Sequence, residues 1–280
     1  MSSDFNKFND IRKSVKDRTA VLSNLEALGL PEDTRALNIL WMYPDVLNVF
    51  GGRGDLMALM RVCTSMGVPA RMKRLDHLAD AIPFEWADMI YYASGDLTCM
   101  EDILKVTLPV KDDLKAFAER GGMIAAVSSS GVILADKYVR ADGTEIIGTG
   151  LLSMTMTERE KVHGDDLWFR TGSGMEVTGN QIQLLDVSLA EGQKAFGTVI
   201  YGRGNDGNGE EGARTGNVIY TGCVGPVLVR NPWLAADLIE TAADAAGVKP
   251  AGGEFSLPDE AIEQELLSAE EARAFIRKKM

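Results

Sequence analysis

The strongest constraint on how this chain folds is the run Gly121-Gly122-Met123-Ile124-Ala125-Ala126-Val127-Ser128-Ser129-Ser130-Gly131-Val132-Ile133-Leu134. It reads as a turn, an unbroken apolar stretch, a corner of small residues and a second apolar stretch. A segment apolar at every position, rather than at every second one, predicts a strand covered on both faces, as in the middle of a parallel sheet. The small residues that follow permit a sharp strand-to-helix corner, which lifts one side chain above the sheet where a nucleophile stands. Here that side chain is Ser128. A serine becomes a nucleophile only beside a base. The chain has two histidines, His77 and His163, and neither lies in a segment placed to serve Ser128.

The flanking sequence alternates strands with helices. Leu37 to Tyr43, Ala70 to Leu75, Asp88 to Ala93 and Met123 to Val127 read as strands, with helices over Leu56–Met66 and Val110–Arg120. That alternation predicts βαβ units and a doubly wound, mostly parallel α/β sheet. After Leu134 the segments Met154–Thr157, Leu167–Arg170, Ile182–Leu185 and Val199–Tyr201 predict short strands at an antiparallel or mixed edge. Gly202 to Gly216 reads as a flexible polar loop and Asn217 to Tyr220 as a strand. Asn231 is placed to cap a helix whose first residue is Pro232. Helices are also expected over Asp10–Leu30 and, with many charges, over Leu257–Met280.

Composition narrows the function classes. The net charge of -12 argues against nucleic acid, whose phosphates need Lys and Arg. Cys63, Cys99 and Cys223 are too widely spaced for a disulfide framework or a metal motif, so reduced thiols in a cytoplasmic protein are expected. Met1 to Lys16 is too polar for a signal peptide, and no apolar run approaches the roughly 18–20 residues of a membrane span. No cofactor is implied.

Several strings then converge in order: Leu37-Asn38-Ile39-Leu40 with Tyr43-Pro44-Asp45 and Gly52-Arg53-Gly54-Asp55, Asp142 through Leu152, Tyr201-Gly202-Arg203-Gly204-Asn205 with Glu211-Gly212, and Gly225-Pro226-Val227-Leu228 with Asn231-Pro232. Together they resemble class I glutamine amidotransferases of the cobyric-acid-synthase-like type, as in the glutaminase subunit of lipid II isoglutaminyl synthase. The resemblance implies a flavodoxin-like domain over residues 37–248, a helical extension over 1–36, and a linker with a C-terminal helix over 249–280. It also implies a Mur-ligase-like synthetase as partner, with glutamine or a related small molecule as ligand.

In that family a Cys followed by Gly-Gly attacks the glutamine amide, a His just before Gly-Pro is the base, and a glycine-rich loop stabilises the oxyanion. Carried onto this chain, the nucleophile position is Ser128, followed by Ser129 and Ser130, and the base position is Val224. The oxyanion loop is Ala93-Ser94-Gly95-Asp96, and Asn180-Gln181-Ile182 stands for another pocket string. Gly95, Asp96, Ser129 and Arg203 are the expected substrate-binding positions. These departures fall on one pocket, so a glutaminase-deficient subunit is expected. Two alternatives stay open: a Ser128 hydrolase using His163 or a carboxylate, and a non-catalytic module that binds a small molecule. Cys223 and Cys99 are expected to be inert.

Overall fold

The computed structural model of the chain describes residues 21–280. In chain order the first elements are β1 (Leu22–Ser23), β2 (Leu37–Met42), α1 (Gly52–Ser65), β3 (Ala70–Leu75), β4 (Met89–Tyr92), α2 (Met100–Thr107), α3 (Lys111–Glu119), β5 (Met123–Val127) and the single-turn α4 (Gly131–Leu134). Then come β6 (Lys137–Val139), β7 (Glu145–Ile147), β8 (Met154–Thr171), β9 (Glu176–Leu189), β10 (Gly197–Tyr201), β11 (Glu210–Glu211), β12 (Ala213–Thr215) and β13 (Val218–Thr221). Three helices, α5 (Val227–Arg230), α6 (Pro232–Ala245) and α7 (Glu263–Arg277), close the chain.

The main sheet has the order β1-β3-β2-β4-β5-β13-β12. Its five inner strands pair in parallel, and β1 and β12 join antiparallel at the edges. The inner order is that of a flavodoxin-like doubly wound sheet, which places ligand chemistry at the carboxyl ends of the strands. β4 and β5 are buried at every position, as their unbroken apolar sequences require. A second sheet, β11-β10-β8-β6-β7 with β9 on β8, stands beside it.

Several sequence expectations need correction. The helix over Asp10–Leu30 lies partly outside the described residues; residues 21–30 form β1 and a turn instead. The Asn24 side chain accepts from the Ala70 N–H at 2.8 Å and donates to the Val68 carbonyl at 2.9 Å, fastening this segment to the sheet edge. α1 starts at Gly52 rather than Leu56, and this first residue sits so close to the loop after β4 that a Cβ on it would lie 2.5 Å from that of Ala93. The short strands expected at Met154–Thr157 and Leu167–Arg170 are two ends of one 18-residue strand, and Ile182–Leu185 lies within the 14-residue β9. Between these ends Glu158 to Asp166 has no buried side chain, so the sequence shows no alternation, and the pairing with β9 shifts register between Glu158 and His163. Gly202–Gly216 is not a loose loop: the buried Asn205 side chain accepts from the Gly212 N–H and donates to its carbonyl, at 2.8 and 2.9 Å.

The C-terminal helix packs on the domain through buried Ile262, Ala269 and Ile276. Arg273 reaches Glu176 at 3.1 Å and Lys279 reaches Asp166 at 2.7 Å. α6 begins at Pro232 as expected, yet Asn231 does not cap it with its side chain. That amide accepts from the Thr178 N–H at 3.0 Å and donates to the carbonyls of Thr178 and Val227, at 2.8 and 2.7 Å. It therefore ties β9 of the second sheet to the helices following β13. Asp55 performs the matching task on the other side, accepting from the Leu228 N–H at 2.7 Å and the Tyr91 hydroxyl at 3.1 Å.

Two outcomes follow. Asn231→Ala takes the side-chain partner from the buried Thr178 N–H and carbonyl, while the Val227 carbonyl keeps the Asn231 N–H, and is expected to lower stability by about 2–3 kcal/mol, read as a fall in the urea midpoint; an unchanged midpoint refutes this role. Burial, opposed by its hydrogen bonds, lifts the Asp55 carboxyl from 3.8 to about 6. The folded state then keeps a proton that the unfolded chain releases, so Asp55's contribution is complete below pH 4 and declines as pH rises to about 6. Asp55→Asn, neutral throughout, should gain stability relative to the native protein across that window; a flat or opposite difference counts against it.

Candidate active site

Ser128 stands at the carboxyl end of β5 with φ +54°. Val127 before it is extended and Ser130 after it is helical, so a single residue reverses the chain. A non-glycine residue occupies this left-handed region at a cost of about 1–3 kcal/mol, which surrounding packing must hold in place. Gly131 provides part of that packing: a Cβ there would lie 2.5 Å from the Tyr220 ring. The expected corner is therefore present, with Ser128 half-buried at its apex.

A small cavity opens beside it, lined by Ser128, Gln181, Gln183, Asn205, Glu211 and Tyr220 among others. β5, β9 and the segment between β10 and β13 thus bring their side chains to one place. Within the cavity wall, Gln181 Oε1 accepts from the backbone N–H groups of Arg203 and Gly204, both at 3.1 Å. Glu211 is fully buried. Its Oε1 accepts from the Thr221 hydroxyl and the Gly222 N–H, both at 2.7 Å, while Oε2 has no partner among the described residues. Burial pushes this carboxyl up and favours its neutral form.

Val224, expected at the base position, is 1% exposed, pairs through its backbone with Asn180 by bonds of 2.8 and 3.1 Å, and does not line the cavity. An isopropyl group accepts no proton. Cys223 beside it is buried, its thiol pushed far up chiefly by that burial. It packs against Gly179, where an added Cβ would lie 2.4 Å from its sulfur. Cys99 is half-buried, donates to the Asp96 carbonyl at 2.8 Å, and is also raised by burial. Both behave as protonated thiols rather than nucleophiles.

Neither histidine partners Ser128. His77 is exposed after β3, which is separated from β5 by β2 and β4. His163 lies opposite Gln183 across the β8–β9 hairpin but does not line the cavity. Among the described residues no side chain hydrogen-bonds the Ser128 hydroxyl. No group of three or more His, Cys, Asp or Glu among them is arranged to hold a metal.

The expected binding residues divide. Gly95 and Ser129 meet: the Gly95 N–H donates to Ser129 Oγ at 3.0 Å, and that hydroxyl donates to the Gly95 carbonyl at 2.6 Å. Asp96 turns away into solvent, where its carboxylate accepts from the Thr98 N–H at 2.8 Å and is held below the usual range by that bond. The Arg203 guanidinium pairs with Asp186 at 3.1 Å and does not line the cavity, so only its backbone serves the site. Sequence reasoning missed the roles of Glu211, Asn205 and Gln183. Two lie in the glycine-rich stretch read as a loop, where the strings ending in Asn205 and in Glu211-Gly212 pointed to them.

Comparison with known proteins places this geometry. The sequence pattern of the CobB/CobQ-like glutamine amidotransferase domain matches residues 38–227. The lipid II isoglutaminyl synthase (glutamine-hydrolyzing) subunit GatD of Streptococcus pneumoniae is 27% identical over 242 residues, covering 82% of this chain and 88% of that protein. Its Staphylococcus aureus namesake is 25% identical over 221 residues, covering 76% and 86%. In fold, a crystal structure of a glutamine amidotransferase aligns with TM-score 0.50 at 18% identity over 73% of this chain and 98% of the other. PurLQS from Thermotoga maritima aligns at 0.51 and 13% identity over 76% and 97%. With the domain pattern spanning most of the chain, from β2 to the start of α5, this protein belongs to the CobB/CobQ-like glutamine amidotransferase family.

Proposed function

We propose that this chain is a glutaminase-deficient amidotransferase subunit that supports a Mur-ligase-like synthetase in amidating the D-glutamate of lipid II. The synthetase takes free ammonia, and this chain acts as its scaffold. The names of the Streptococcus and Staphylococcus relatives supply the pathway context. The observation that carries the loss of glutaminase chemistry is Val224, buried and backbone-paired to Asn180 where a proton acceptor is required.

Amide hydrolysis by this fold needs a nucleophile that surrenders its proton and a group that later returns one to the departing ammonia. Ser128 keeps the position but holds an alcohol, a weaker nucleophile than a thiolate, and among the described residues no side chain is hydrogen-bonded to it to take the proton. A second reading, a Ser128 hydrolase using a carboxylate, draws on Glu211 in the same cavity. Against it, Glu211 is fully buried with Oε1 already accepting from the Thr221 hydroxyl and the Gly222 N–H, and among the described residues no hydrogen bond links it to Ser128.

Purified protein, alone or with its synthetase, is expected to release no more glutamate from glutamine than Ser128→Ala does. Release that Ser128→Ala abolishes defeats the proposal. The reconstituted pair should amidate lipid II with ammonium chloride and fail with glutamine; equal rates with either nitrogen source defeat the ammonia-fed scheme. Labelling of Ser128 by a serine-reactive phosphonate decides for the hydrolase reading instead.

A further inference from the structure

The serine after the elbow does something that neither Ser128 nor Val224 accounts for. An oxyanion forms when a nucleophile adds to a carbonyl, and it is stabilised by N–H groups about 2.7–3.1 Å from where the charged oxygen will stand. The Gly95 N–H points from the loop after β4 towards the elbow, and 3.0 Å along its direction lies the Ser129 hydroxyl oxygen. That oxygen also donates its only proton to the Gly95 carbonyl at 2.6 Å, so Ser94 Oγ, 3.3 Å away, completes its bonding by donating to it. A hydroxyl has one proton and two lone pairs, and all three are engaged.

The arrangement is fixed from several directions. Ser130 Oγ donates to the Ala93 carbonyl at 2.5 Å, so two consecutive serine side chains tie the loop to the elbow. From behind, the Val49 N–H holds the Ser94 carbonyl at 2.9 Å. A Cβ on Gly95 would lie 2.5 Å from Leu47 Cδ2 and 2.9 Å from the Val46 carbonyl, so the loop has no space to withdraw from Ser129. Ser129 itself is 3% exposed.

We propose that Ser129 is an internal plug: its hydroxyl occupies the oxyanion donor of Gly95 and locks the Ala93–Gly95 loop onto the elbow, excluding a substrate carbonyl oxygen from that place. The site then carries a third obstacle besides the missing thiol and the missing base, and replacing those two groups leaves the hole filled. This rests on the glutaminase-deficient reading of the site.

The test compares Ser128→Cys/Val224→His with Ser128→Cys/Ser129→Gly/Val224→His in glutamate release from glutamine. Restoring one oxyanion donor is worth about 10²–10³-fold, so the triple variant is expected to exceed the double by at least 10²-fold. Equal rates, both active or both silent, overturn the plug. A second readout does not depend on turnover: amide hydrogen exchange at Gly95 should be at least tenfold faster in Ser129→Gly than in the unmodified protein, with β5 amides unchanged. Ser129→Ala serves the same purpose if the glycine variant does not fold, and unaltered Gly95 exchange overturns the proposal. The unmodified protein with its Ser128→Ala control judges the underlying reading separately, because the ratio of triple to double variant holds whatever those two do.

Discussion

Three parallel strands, β4, β5 and β13, end side by side, and the chain must leave all three within a few residues of one another. The left-handed turn at Ser128 is how β5 leaves. It is a conformation an L-residue adopts only when its neighbours leave no alternative. Those neighbours are the Tyr220 ring against Gly131, the backbone of Ala93 and Gly95 bonded to Ser130 and Ser129, and α1 pressed on Ala93 through Gly52. The same packing that aims Ser128 at the cavity brings the Gly95 amide and the Val224 segment to its sides. Scaffold and site are one construction here.

On the proposed function, that construction outlasts the chemistry it fits. Asp55 and Asn231 still lock the segment after Val224 from both sides, one through Leu228 and Tyr91, the other through Thr178 and Val227. The cavity wall still satisfies its amides internally, with Gln181 and Asn205 bonded to backbone groups of the Arg203–Gly212 segment. The departures the resemblance marks are confined to segments at strand ends: a hydroxyl at 128, buried hydroxyls at 129 and 130, and a buried isopropyl group at 224. Such exchanges leave sheet packing untouched, because they add or remove a few atoms at strand ends. A fold can therefore be retained as a docking scaffold after its reactive pair is gone, since binding a partner draws on surface shape and not on the cavity.

Much of the main sheet was legible because its strands are buried on both faces. β5 begins and ends where its apolar run does, and the corner after Val127 follows from three small residues in succession. The β8–β9 hairpin was not legible. Glu158 to Asp166 has no buried side chain, and its pairing with β9 shifts register between Glu158 and His163, so no side-chain alternation marks a strand there. The N-terminal segment was misread for a related reason. Its scattered apolar residues suit a helix, but Asn24 bonded to Ala70 and Val68 holds the described part against β3.

The sequence by itself determined the doubly wound sheet, the elbow and the identities at positions 128 and 224, because local pattern and residue type carry that information. Only the tertiary structure decided what surrounds them. Asp96 and the Arg203 guanidinium turn away from the cavity, while Glu211, Asn205 and Gln183 line it. Ser129 reaches across to Gly95 from 34 positions away. Such placements depend on how two sheets and a glycine-rich segment close over one another, and that closure is a property of non-local packing, which no local pattern encodes.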